Sequence, residues 1–169
     1  MRTIFLVYSD ILKSTKTVAQ AEQLESEIDS LLNSLFHEGR KDFEKALNSI
    51  NYEVAEVIRN EFLNKDPDVK NKEVIREFLN QLKDNVQNLR TIKLSLAFSP
   101  SQDSIDKIHD WIIENIGDGY ILDLQVDSTI IGGARIFFQG KYSDSSLKKT
   151  LDQVFKTKRQ EITGPLSKT

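Results

Sequence analysis

From residue 18 to 36, Val18, Ala21, Leu24, Ile28, Leu31, Leu32 and Leu35 recur at steps of three and four, which lays one apolar stripe along a helix. Gly39 is placed to end it. The same step returns from 41 to 63 in Phe43, Ala46, Leu47, Ile50, Val54, Val57, Ile58 and Phe62, until Asp66-Pro67-Asp68 reads as a turn. Val74, Ile75, Phe78, Leu79, Leu82, Val86 and Leu89 predict a further amphipathic helix, and Ile4 to Leu12 a shorter opening one. None is apolar all round, so each must bury one stripe against a neighbour. Short connections favour antiparallel packing, and residues 1–90 are expected to form an N-terminal antiparallel α-helical bundle.

Near residue 91 the period changes from helical to alternating. Ile92, Leu94, Leu96 and Phe98 alternate with smaller or polar residues, as a strand with one buried face requires. Pro100 and Ser101 open a helix carrying Ile105, Ile108, Ile112 and Ile116, and Gly117-Asp118-Gly119 closes it. Tyr120, Leu122, Leu124 and Val126 alternate again, then Ala134, Ile136 and Phe138. Gly140 turns the chain, and Asp144-Ser145-Ser146 can cap a last helix with Leu147, Leu151, Val154 and Phe155. The expectation is an α+β chain: the bundle, then a small C-terminal α/β domain over 91–157 in the order strand-helix-strand-strand-helix, then a flexible tail over 158–169.

Composition narrows what such a chain can do. It holds no cysteine, which excludes disulfides, thiolate metal sites and a thiol nucleophile. The net charge is −3, from 23 basic and 26 acidic residues spread along the chain, so a phosphate backbone meets no contiguous positive surface and nucleic acid is not an expected partner. The one basic stretch, Lys148, Lys149, Lys156, Lys158 and Arg159, reads as solvation and dipole pairing of the last helix. Ile4 to Tyr8 is too short to span a membrane, so no direct membrane insertion is expected.

Candidate chemistry is sparse. His37 and His109 lack any second ligand at metal spacing, so no metal is expected, and both read as surface or partly packed. Trp111 among isoleucines reads as a packing residue, and the charges from Glu22 to Glu27 as the solvated face of their helix. Gly132-Gly133 is the best candidate for a phosphate cradle, yet it precedes a strand, whereas phosphate loops lead into a helix N-terminus. The simpler reading is a bend where a side chain would clash or φ must be positive. No catalytic residue and no cofactor is assigned.

Taken as one unit, Val126-Asp127-Ser128-Thr129-Ile130-Ile131-Gly132-Gly133-Ala134-Arg135-Ile136, then Gly140, then Asp144-Ser145-Ser146-Leu147, resembles the signature of the delta subunit of F-type ATP synthases, the family of the oligomycin-sensitivity-conferring protein. On that resemblance Asp127, Ile130, Ile131, Gly132, Gly133, Asp144, Ser146 and Leu147 are signature residues with a structural role. It implies a non-catalytic stator subunit of the peripheral stalk, linking the catalytic head to the membrane-anchored stalk. Its helical domain, with the stripe Leu24, Ile28, Leu31 and Leu35, would bind the head's alpha (and beta) subunits, and its C-terminal domain the b-type stalk subunits. The location implied is peripheral, on the cytoplasmic face of a bacterial-type cell membrane. Two other readings stand beside it. An E-type stalk subunit of a V/A-type ATPase shares the Gly-Gly strand but needs a long continuous first helix, and a small phosphate-ligand-binding regulatory domain would use Gly132-Gly133.

Overall fold

A computed structural model describes residues 4–37, 39–60, 72–147 and 151. The Asp66-Pro67-Asp68 turn, Phe62, Val154, Phe155, the basic stretch from Lys148 to Arg159 and the 158–169 tail lie outside the described residues. The chain is α+β and divides into two compact units. One comprises Met1–Arg90 with Ile112–Ile121; the other comprises Thr91–Trp111 with Leu122–Thr169.

Among its described residues the first unit holds five helices: α1 (Ile4–Ser14), α2 (Val18–His37), α3 (Gly39–Ser49), α4 (Tyr52–Ile58) and α5 (Lys72–Gln87). They meet in one core. Leu24, Ile28, Leu31 and Leu35 of α2 are all buried, with Phe43, Leu47, Ile58, Ile75, Leu79 and Leu82. Burying each such side chain is worth about 1.5–3 kcal/mol, and α5 contributes at least as much as the α2 stripe, with Ile75, Phe78, Leu79, Leu82 and Val86 all buried. Thr17 begins α2 with a reciprocal cap: its hydroxyl accepts the Gln20 N–H at 3.2 Å, and Gln20 Oε1 accepts the Thr17 and Lys16 amides at 3.1 and 2.8 Å. Tyr8 of α1 stacks on Phe78 of α5 at 5.0 Å between ring centroids, and its hydroxyl donates to Gln81 Oε1 at 3.0 Å. Burial, then the charge of Glu77, raises the Tyr8 pKa above 10.0.

Three expectations are corrected here. Gly39 begins α3 instead of simply closing α2. The single helix expected over 41–63 is broken after Ser49: the carbonyl of Asn51 accepts the Ala55 amide at 3.0 Å and so starts α4, while Ser49 Oγ turns back to the Ala46 carbonyl at 2.8 Å. A serine hydroxyl competes for backbone partners in this way, and periodicity alone does not register it. The acidic face of α2 is only partly solvated, because Glu27 accepts the Asn51 amide at 3.1 Å and Glu25 accepts Gln87 Nε2 at 3.3 Å.

The sheet order is β2-β1-β3-β4, formed by β1 (Arg90–Leu96), β2 (Tyr120–Val126), β3 (Ala134–Phe138) and β4 (Lys141–Asp144). The β1–β3 and β3–β4 pairs are antiparallel. Helix α6 (Gln102–Asn115) connects β1 to β2. Its start follows the expectation, with Ser101 Oγ accepting the Ser104 amide at 3.3 Å. Its end does too: the Gly117 amide reaches back to the Ile112 carbonyl at 3.1 Å with φ +115°.

β4 is a fourth strand that the alternation did not predict. Phe138 pairs with Lys141 across a two-residue turn of Gln139 (φ 49°) and Gly140 (φ 74°), the doubly positive geometry that matches strand twist in a tight hairpin. Lys141, Tyr142 and Ser143 are all exposed, so the strand carries no buried row for a pattern to reveal. Two further readings change. His109 is buried (2% exposed) because it shares the α6 face of Ile105 and Ile112, and Trp111, one step off that face, is exposed (57%) and is not a core residue.

Candidate functional site

The stretch Asp127–Leu147 is where the sequence concentrates its distinctive residues, and the fold gathers most of them around Arg135. Asp127 follows β2, where its amide donates to the Leu96 carbonyl of β1 at 2.9 Å. A tight turn comes next, closed by the Ile130 amide on the Asp127 carbonyl at 3.0 Å. Asp127 Oδ1 accepts the Thr129 amide at 2.9 Å and the Thr129 hydroxyl at 2.6 Å, the local bonding by which an aspartate stiffens a turn. Ile130 is then buried, while Ile131 is exposed.

Gly132 and Gly133 take φ +71° and +78°, a region that side chains disfavour. They also stand against the chain leaving β4. A Cβ on Gly133 would lie 2.4 Å from the Ser145 carbonyl oxygen and 3.0 Å from Ser146 Cα; one on Gly132 would meet the Leu147 side chain at 2.7 Å. Two backbone bonds fasten this approach, Ser145 N–H to the Ala134 carbonyl at 2.9 Å and Leu147 N–H to the Gly132 carbonyl at 3.1 Å. The surface that a phosphate cradle would offer at Gly133 is thus filled by the protein's own backbone.

On β3, Arg135 pairs in register with Asp144 of β4. Its Nη1 donates to Asp127 Oδ2 at 2.8 Å and its Nε to Asp144 Oδ2 at 3.4 Å. Asp144 Oδ1 also accepts the Ser146 amide at 2.9 Å. Hydrogen bonding from Thr129, with the charge of Arg135, holds the Asp127 carboxyl below 3.8; hydrogen bonding from Ser146, again with Arg135, does the same at Asp144. Asp144 therefore closes a strand and stiffens the turn after it, just ahead of helical Leu147. Ser146 is buried, Leu147 is half exposed, and Leu147 and Leu151 are helical.

Of the eight residues singled out from the sequence, Asp127, Gly132, Gly133, Asp144, Ser146 and Leu147 come together around this crossing. Ile130 anchors the loop from below, and Ile131 points outward. Arg135 was missed as a centre. An arginine between two aspartates eight and nine residues away gave the signal, but only the pairing of β3 with β4 brings both carboxylates within reach. The carboxylates are thus spent on arginine and amides, an arrangement that stiffens a loop and offers no reactive group. No cluster of three or more metal-binding side chains occurs among the described residues, and none of the described helices is long and apolar enough to cross a membrane.

The family model of the ATP synthase delta (OSCP) subunit matches residues 11–157 of the chain. No curated protein matches it.

Proposed function

This chain belongs to the ATP synthase delta (OSCP) subunit family and is a peripheral-stalk subunit of an F-type ATP synthase; from that premise we propose how it divides its work. The helical unit, read as an antiparallel bundle, receives amphipathic segments of the head's alpha subunits in the helix-in-groove manner. The unit carrying the sheet holds the b-type stalk subunits. Two attachments on one chain give a bivalent hold, in which each bound partner keeps the other at high effective concentration. The chain has no active site of its own and takes no cofactor, and it works peripherally at the cytoplasmic face of the membrane.

The family match over 11–157 carries this reading. The chemistry around Arg135 supports it, because a stator must resist torque, and its best-defined polar groups serve rigidity. The α2 stripe is consumed in the core, so the surface that receives the head lies on other faces of the helices. The E-type alternative calls for one long continuous first helix, whereas α1 and α2 are separate here, and the family match removes it.

Affinity capture of the full chain from native membranes, with identification of retained subunits, should recover alpha, beta and b chains together. Recovery of the chain alone would count against the reading. A peptide of the alpha-subunit N-terminus, titrated into the isotope-labelled full chain, should shift amide resonances of α1 to α5. Shifts confined to residues 122–147 would overturn the division of labour.

A further inference from the structure

We propose that Arg135 is the pin of a local latch: by holding Asp127 and Asp144 at once, it fixes where the chain leaves the sheet after β4, and the Ser145–Leu147 segment can open without the sheet unfolding. Three observations converge on this. Arg135 is the only described residue bonded to both carboxylates, so it ties the loop after β2 to the end of β4, two segments 17 residues apart in sequence (144 − 127). The segment it secures is held to the sheet side by two backbone bonds, Ser145 to Ala134 and Leu147 to Gly132. Gly133 admits that segment because it has no side chain: a Cβ there would collide with the Ser145 carbonyl oxygen and with Ser146 Cα.

The latch differs from the rest of the sheet in what holds it. β1, β3 and β4 are joined by a continuous antiparallel ladder, and the loop is rooted by buried Ile130. The exit segment is held by those two amide bonds, by the Ser146 amide on Asp144 at 2.9 Å and, through Asp144, by the arginine. Local opening draws on segments outside the regular ladders, and Ser145–Leu147 lies beyond the last paired residue of β4, with only Ser146 of the three buried. The segment leads to Leu147 and Leu151, both helical and both more than 40% exposed. Closing the latch therefore sets where Leu147 is held. Arg135 acts through Asp127 and Asp144 and is a positioning residue.

Amide hydrogen exchange of the full chain, resolved by NMR, tests this. Arg135→Gln should speed exchange at Ser145 and Leu147 on the order of tenfold or more, while amides of the β1–β3 ladder keep their protection. Arg135→Lys should fall between wild type and Arg135→Gln, because one ammonium cannot fork to two carboxylates as a guanidinium does. Asp127→Asn and Asp144→Asn, each milder, should give partial versions of the same local change and serve should Arg135→Gln fail to fold. Unchanged exchange at Ser145 and Leu147 in these variants would overturn the proposal. So would equal acceleration across the whole sheet, since the arginine would then add only general stability.

Discussion

Substituting alanine at three glycines of positive φ separates backbone strain from steric exclusion. Gly140→Ala places a methyl in open space at φ +74°, so only the left-handed backbone is charged for it, about 1–2 kcal/mol. Gly132→Ala carries a similar strain and meets Leu147 Cδ1 at 2.7 Å, but a leucine terminus on an exposed residue can rotate away. Gly133→Ala has no such relief. Its methyl would stand 2.4 Å from the Ser145 carbonyl oxygen, and making room means moving backbone that carries the Ser145–Ala134 and Leu147–Gly132 bonds. Losing both adds about 1–3 kcal/mol to the strain, for a total of about 2–5 kcal/mol. Urea unfolding followed by circular dichroism and by Trp111, the single tryptophan, should rank the variants Gly140→Ala, Gly132→Ala, Gly133→Ala in order of increasing loss. The reasoning fails if Gly133→Ala costs no more than Gly140→Ala. The close approach at residue 133 would then be soft, and positive φ alone would explain the glycine.

Other parts of the molecule give independent tests. Thr17→Ala removes one half of the α2 cap and should cost about 0.5–2 kcal/mol in the same unfolding measurement, with Thr17→Ser losing less. Tyr8→Phe keeps the stack on Phe78 and deletes the bond to Gln81, for about 0.5–1.5 kcal/mol; Tyr8→Ala also opens a cavity and should cost about 3–5 kcal/mol. Asp127 and Asp144 both have pKa values lowered from 3.8 in the folded protein, so their contribution is complete above that value and is lost as pH falls through the lowered ones. The melting temperature should drop in that acid range, and less steeply in a variant carrying both Asp127→Asn and Asp144→Asn; identical acid profiles would refute the assignment.

What the sequence made legible was whatever a period or a cap encodes. Every member of the Leu24, Ile28, Leu31, Leu35 stripe is buried, and the Ser101 start and Gly117 end of α6 follow from local bonding rules. The bend at Gly132-Gly133 was legible for the same reason, since glycine pairs signal backbone positions that side chains cannot occupy. Features that depend on distant partners were not. β4 lacks a buried row and exists through its pairing with β3, and Arg135 becomes central only once that pairing sets Asp144 opposite it. His109 and Trp111 exchanged roles because a stripe of isoleucines fixes the buried face only to within one residue of rotation. At the break the Ser49 hydroxyl bonds back to Ala46 and the Asn51 amide is taken by Glu27, which an apolar stripe running through Ile50 conceals.

Neither compact unit is one continuous stretch of sequence. Because Ile112–Ile121 belongs with the helices, the polypeptide passes from one unit to the other at residues 90–91, 111–112 and 121–122. A fragment ending at residue 90 therefore forfeits Ile121 from its own interior.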